Sequence, residues 1–206
     1  SLEVKNKLSL KIKKRDCKNM TERKKLIETP SQTAGPFLHI GCTPSITGIN
    51  IFKDELGLIP FKNIASNEVI NIKGKIYDGN NDPIIDAMIE TWQCDADGKY
   101  LNNQGFARRV TDFKTGEYQL KTIRPGNKTN KDGSISPSYI TFWIVARGMN
   151  RPLITRMYFD KNVLKNDLML KSLKIEKRFN TLLPYTEDKK NFVFDIYLQG
   201  KKETIF

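Results

Sequence analysis

The chain is poor in the residues that most often carry metal and acid–base chemistry. Of its 206 residues one is a histidine, His39, and three are cysteines, Cys17, Cys42 and Cys94. A multi-histidine metal site or a histidine-activated nucleophile would rest on His39 alone. Cys42 lies three positions further on, half of a site at best, and a lone histidine inside the apolar run "FLHIG" reads as a packed structural residue. The cysteines form no CxxC pair and cannot all be paired within one chain, so they read as reduced thiols in a cytoplasmic protein, not as a disulfide framework. Long apolar runs are missing too. Stretches such as "IVA" and "LIP" fall far short of the roughly 20 residues that cross a bilayer, and no apolar segment of signal-peptide type follows the basic start. A soluble protein with no membrane partner is expected.

What the chain has in excess is positive charge, 35 Lys and Arg against 23 Asp and Glu, a net +12. Residues 1–28 hold ten of the basic residues and four of the acidic ones, so half of the excess sits in this stretch. A basic segment can bind nucleic acid, but this one contains no aromatic side chain to stack on bases. It reads as a solvated arm, and nucleic acid is not expected as a partner. Residues 1–26 are assigned to a flexible basic extension; Met20 before "TERKK" would suit a start codon, which makes residues 1–19 dispensable in this reading. Residues 27–206 are assigned to one domain, since 38% hydrophobic content supports one sizeable core and nothing demands two.

From about residue 68 the pattern is that of short strands between turns. "EVINIKGKIYDGNNDPI" sets Ile70, Ile72 and Ile76 against Asn71, Lys73 and Lys75, then breaks in a cluster of turn formers. "AMIETWQCD", "GEYQLKTI", "YITFWIVARG", "LITRMYF" and "NFVFDIYLQG" repeat the theme, and no helical period is evident between residues 68 and 160. An antiparallel β-sandwich is predicted. "DADG" at 95–98 and "DGNND" at 78–82 lack the spaced oxygen ligands and terminal Glu of a calcium loop and are predicted to be hairpin turns. One stretch stands apart. "TPSQTAGPF", residues 29–37, carries no charge, is interrupted by Pro30 and Gly35-Pro36, and is predicted to be a fixed loop, neither helix nor buried strand.

That loop, with "GKIYDGNNDPIIDAMIETWQCDADGKY", "TIRPG", "ARG" followed by "TRMYFD", and "FDIYLQGKKETIF", occurs in an order that resembles the intradiol ring-cleavage dioxygenases over residues 27–206. The resemblance implies an all-β sandwich of the intradiol type. It also implies a non-haem Fe(III) centre of two tyrosinates and two histidines, the histidines as an H-x-H pair on one strand. The matching positions here are Tyr100, Lys128, Tyr139 and Thr141, of which Tyr100 alone keeps the ligand type. The chain therefore resembles the metal-free α type of subunit, whose iron is held by a partner β subunit, and whose heterodimers build higher-order assemblies. By the same resemblance Thr33, Gly35 and Pro36 line the pocket for protocatechuate, which reacts there with O₂. Phe37 lies at its edge, where the family usually has Tyr, and Arg147 faces the substrate carboxylate or an interface. A free-standing, non-catalytic binding sandwich of the same fold is the alternative.

Overall fold

The computed structural model describes residues 30, 32–65, 68–164, 167–173 and 176–206, and the expected extension, residues 1–26, lies outside them. The chain divides into two units, and the second, residues 33–206, carries the fold. Eleven strands lie in its described part: β1 (Val69–Tyr77), β2 (Met88–Trp92), β3 (Phe106–Val110), β4 (Glu117–Ile123), β5 (Lys128–Thr129), β6 (Ile135–Ser136), β7 (Tyr139–Val145), β8 (Leu153–Tyr158), β9 (Tyr185–Thr186), β10 (Asn191–Val193) and β11 (Ile196–Tyr197). Helix α1 (Pro36–Cys42) and a 3-10 turn (Pro44–Thr47) precede them; α2 (Lys161–Leu164), α3 (Leu168–Leu173) and a 3-10 helix (Glu176–Leu182) follow β8.

The predicted alternation of β1 is realised: Ile70, Ile72 and Ile76 are buried while Asn71 and Lys73 are exposed. It lies in a five-stranded sheet, with β4 on one side and β10 and β11 on the other. The second sheet runs β3-β2-β7-β8. Between them Ile72, Ile89, Leu120, Ile140, Phe142 and Phe194 belong to one buried cluster, the sandwich core. A smaller cluster, including Tyr158, Leu164, Leu170, Phe179, Leu182 and Ile205, packs under the helices after β8.

Two expectations need correction. The sandwich is not wholly antiparallel, because β1 pairs with both β10 and β11 in parallel register; the chain returns to β1 only after the whole second sheet has been laid down. The uncharged loop also ends sooner than predicted. Pro36 and Phe37 form the first turn of α1. Proline's fixed φ and missing N–H suit that first helical position, where the amide would have no intrahelical partner, so Gly35-Pro36 starts a helix here.

The two acidic stretches form turns, although residues 78–82 join strands of different sheets and are not the hairpin predicted. The Asp78 carboxylate accepts from the amides of Asn80 and Asp82, and that of Asp95 from Asp97 and Lys99. In the second turn Gly98 has φ +79°, and a Cβ there would stand 2.0 Å from the Asn127 carbonyl oxygen, so only glycine fits.

Candidate functional site

Two arginines of β3 pin the segment that precedes the sandwich. Arg108 gives Nε and Nη2 to one Glu90 oxygen, at 2.8 and 2.6 Å, and Nη1 to the Cys42 carbonyl at the end of α1, at 3.0 Å. Arg109 binds the carbonyls of Gly57 and Leu58 through Nη1 and Nη2, at 2.7 and 2.8 Å. These bonds fix α1 and the loop after it against the sheet, and that placement builds a cavity.

The cavity is about 310 Å³, and its lining includes Gly35, Pro36, His39, Asp86, Phe113 and Arg147. Three of the residues predicted from sequence therefore meet in one place, although more than 100 positions separate Pro36 from Arg147. Thr33 is not among the lining residues; its hydroxyl instead accepts the Gly148 amide at 2.8 Å, tying the uncharged loop to the residue after Arg147. Phe37 is 83% exposed, on the first turn of α1, and does not line the cavity.

Asp86, which nothing in the sequence marked, organises the site. Its carboxylate, 15% exposed, forms an ion pair with Nε of Arg147, while the Arg147 side chain remains 66% exposed. Its carbonyl receives Nε2–H of His39 at 3.0 Å. Since a carbonyl only accepts, this bond fixes the proton on Nε2, and Nδ1 is left buried without a partner among the described residues. His39 is otherwise packed edge-on against Phe113, with ring centroids 5.9 Å apart. Its role is the structural one expected, but it also walls the cavity, which its apolar setting in the sequence concealed.

The four positions matched to metal ligands lie together near β7. Lys128 Nζ stands 5.3 Å from the centre of the Tyr100 ring, and the Arg156 guanidinium carbon 4.2 Å from that of Tyr139. Burial, then the neighbouring Tyr139 phenol, raises the Tyr100 pKa above its ordinary value, so the phenol stays neutral. The Lys128 ammonium and the Thr141 hydroxyl are poor ligands for Fe(III), which requires anionic or imidazole donors, and the two tyrosines left, Tyr100 and Tyr139, stand beside cations and are too few to hold it. Among the described residues no group of three or more His, Cys, Asp or Glu could hold a metal ion.

The profile of a family described as "Dioxygenase" matches residues 53–200. The chain belongs to this dioxygenase family. The protocatechuate 3,4-dioxygenase alpha chain of Pseudomonas putida is 37% identical to this dioxygenase chain over 193 residues, covering 88% of it and 96% of the relative. The protocatechuate 3,4-dioxygenase beta chain of Burkholderia cepacia is 26% identical over 158 residues, covering 66% and 67% respectively. Among solved structures, the 3-chlorocatechol 1,2-dioxygenase of Rhodococcus opacus 1CP superposes with a TM-score of 0.56 at 18% identity, over 71% of the dioxygenase chain and 68% of that structure. This likeness shows the sandwich fold. No helix among the described residues of the dioxygenase chain is long and apolar enough to cross a membrane.

Proposed function

We propose that the chain is the metal-free α subunit of a protocatechuate 3,4-dioxygenase and contributes one wall of the active site. The reaction of the assembled enzyme is the O₂-dependent cleavage of the ring between its two oxygenated carbons, giving 3-carboxy-cis,cis-muconate with both oxygen atoms retained. The observation that carries the reading is the meeting of Gly35, Pro36 and Arg147 around one cavity, in a chain 37% identical to a relative of that name.

Each residue has a physical task in this reading. Gly35 and Pro36 present backbone and a short ring, so a planar aromatic substrate can approach closely. Arg147 supplies the charge for the substrate carboxylate. Because Asp86 holds Nε, the guanidinium is oriented while its two terminal nitrogens remain for an anion. Thr33 fixes the loop on Gly148 and thereby keeps the wall and the charge in register. The wall excludes water, which strengthens the charge interaction.

The non-haem Fe(III) of this chemistry belongs to a partner β subunit, because the residues of this chain do not fit it. The existence of a beta-chain relative supports a two-chain enzyme. So does the exposure of five large apolar side chains, Phe37, Ile51, Phe52, Leu56 and Ile59, within 23 residues, which a partner would remove from water. The heterodimers assemble further, in the cytoplasm. Co-expression with a chain bearing two tyrosines and an H-x-H pair, followed by iron and protocatechuate assays, tests the reading. A stable iron-loaded heterodimer that turns over protocatechuate is expected. A chain that stays monomeric beside that partner would instead be the free-standing binding sandwich.

A further inference from the structure

A cleft of about 580 Å³ opens where β1 and β11 of the five-stranded sheet finish side by side. The two strands are parallel, with Tyr77 and Tyr197 in register, and the two rings stack with their centres 4.8 Å apart. The turns that follow the strands therefore emerge together, one bringing Asn81 and the other Gln199, Lys201 and Lys202 to the cleft. Both turns are fixed by their own backbone: the Asp78 amide gives to the Asp82 carbonyl at 3.0 Å and the Glu203 amide to the Gly200 carbonyl at 3.1 Å. A Cβ at Gly79 would stand 2.5 Å from Gln199 Oε1, so the bare glycine gives the carboxamide its place over the first turn.

The polar side chains that line this cleft are not used by the protein. The phenols of Tyr77 and Tyr197, the carboxamides of Asn81 and Gln199 and the ammonium groups of Lys201 and Lys202 have no hydrogen-bond or ion-pair partner among the described residues, and among those residues no Asp or Glu lines the cleft. Two carboxylates of the adjoining segments are committed elsewhere, since Asp195 accepts the Lys75 amide at 2.9 Å and Glu203 pairs with Arg178 at 2.8 Å. Lys202 Nζ stands 5.3 Å from the centre of the Tyr197 ring, which holds one ammonium beside the phenols. Two such point charges suit a compact dianion, a phosphate group, whereas a carboxylate is matched by the planar fork of an arginine, a residue that does not line the cleft. Phenols and carboxamides each donate and accept, as the hydroxyls of a sugar require.

We propose that this cleft binds a phosphorylated monosaccharide, with its phosphate on Lys201 and Lys202 and its hydroxyls on the phenols and carboxamides. The size agrees, because pockets for small molecules span roughly 300–1,000 Å³. The cleft shares no lining residue with the cavity of Arg147. The inference needs neither a partner chain nor turnover, and so stands apart from the proposed function.

The test is titration of the full chain with glucose 6-phosphate, glucose and inorganic phosphate, read by calorimetry. Glucose 6-phosphate binds saturably, and the other two probes bind at least about tenfold more weakly. Lys201→Gln combined with Lys202→Gln, both exposed positions, lowers the affinity for glucose 6-phosphate to that for glucose. Tyr197→Phe keeps the ring and removes the hydroxyl; it weakens glucose 6-phosphate several-fold and leaves inorganic phosphate unchanged, which separates recognition of the sugar from that of the anion. Lys121→Gln, at an exposed position of β4 outside the cleft, leaves the binding intact. No saturable binding up to about 10 mM glucose 6-phosphate, inorganic phosphate bound as tightly as glucose 6-phosphate, or a loss in Lys121→Gln equal to that in the double variant would each overturn the proposal.

Discussion

Arg147 is fastened at one nitrogen and open at two, and that asymmetry sets what its removal does. In the α/β enzyme, Arg147→Ala is expected to weaken handling of protocatechuate by about 1.5–3 kcal/mol, the range for a hydrogen bond to a charged group. Catechol, which has no carboxylate, is affected much less. Equal losses in kcat/KM for both substrates, with the heterodimer intact, would make the residue structural. Asp86→Asn keeps the shape and removes the charge that holds Nε. It is expected to raise KM for protocatechuate several-fold with kcat nearly unchanged, because it frees the guanidinium without deleting it; a fall in kcat for both substrates would contradict this positioning role. Thr33 and Gly148, Asp86 and His39 are joined by bonds between residues 47 to 115 positions apart. No pattern in the sequence announces such pairs, which is why Arg147 and the uncharged loop were legible through resemblance while Asp86 was not.

Among the elements, strands were legible where one face is buried and opaque where it is not. The alternation in β1, β4 and β7 pointed to the strands directly, because every second residue enters the core. β3 was missed: "FARRV" places two arginines side by side, and both are committed to fixing the segment that leads into the sandwich, not to a period of two. Of the four two-residue strands, β5, β6 and β9 stand outside the patterned segments and are too short to show a period, whereas β11 lies within "NFVFDIYLQG". Within β1, a Cβ at Gly74 would stand 2.0 Å from the Phe194 carbonyl oxygen, the same oxygen that accepts the Tyr118 hydroxyl at 2.5 Å. Gly74→Ala must push two strands apart and break that bond. A loss of about 2–4 kcal/mol is expected, seen as a Tm lower by roughly 5–15 °C; an unchanged Tm would mean that the strands separate at no cost. The turn between β9 and β10 depends on Asp188, whose carboxylate accepts from the amides of Lys190 and Asn191. Those amides, that of Asn191 first, hold its pKa down to about 2 from 3.8. A depressed carboxylate pKa means stability that is present above the unfolded value and lost on acidification. The Tm difference between the wild type and Asp188→Ala is therefore expected to be full at neutral pH and to vanish as pH falls from about 4 to about 2.

At the scale of the whole molecule, the proposed function divides the chemistry between two chains. Lys128 and Arg156 stand beside the tyrosines where the family's metal would be held, so the full chain purified alone is expected to retain no stoichiometric iron. A tyrosinate-to-Fe(III) absorption band from this chain by itself would refute that. The route of the backbone has a consequence of a different kind. β1 receives β4 on one edge, but its other edge waits for β10 and β11, with Asn191 lying 120 residues beyond Asn71. At about 5–20 residues per second, a ribosome needs roughly 6–24 s to cover that distance. For that interval the nascent chain carries a strand rich in isoleucine with an unsatisfied row of amides and carbonyls, an invitation to neighbouring chains on the same polysome. Nascent chains arrested before β10 should be cleaved readily by protease and held by chaperones, and those arrested well past β11 should resist. The order of synthesis thus leaves the centre of the first sheet open while the 120 residues between its two partners are made.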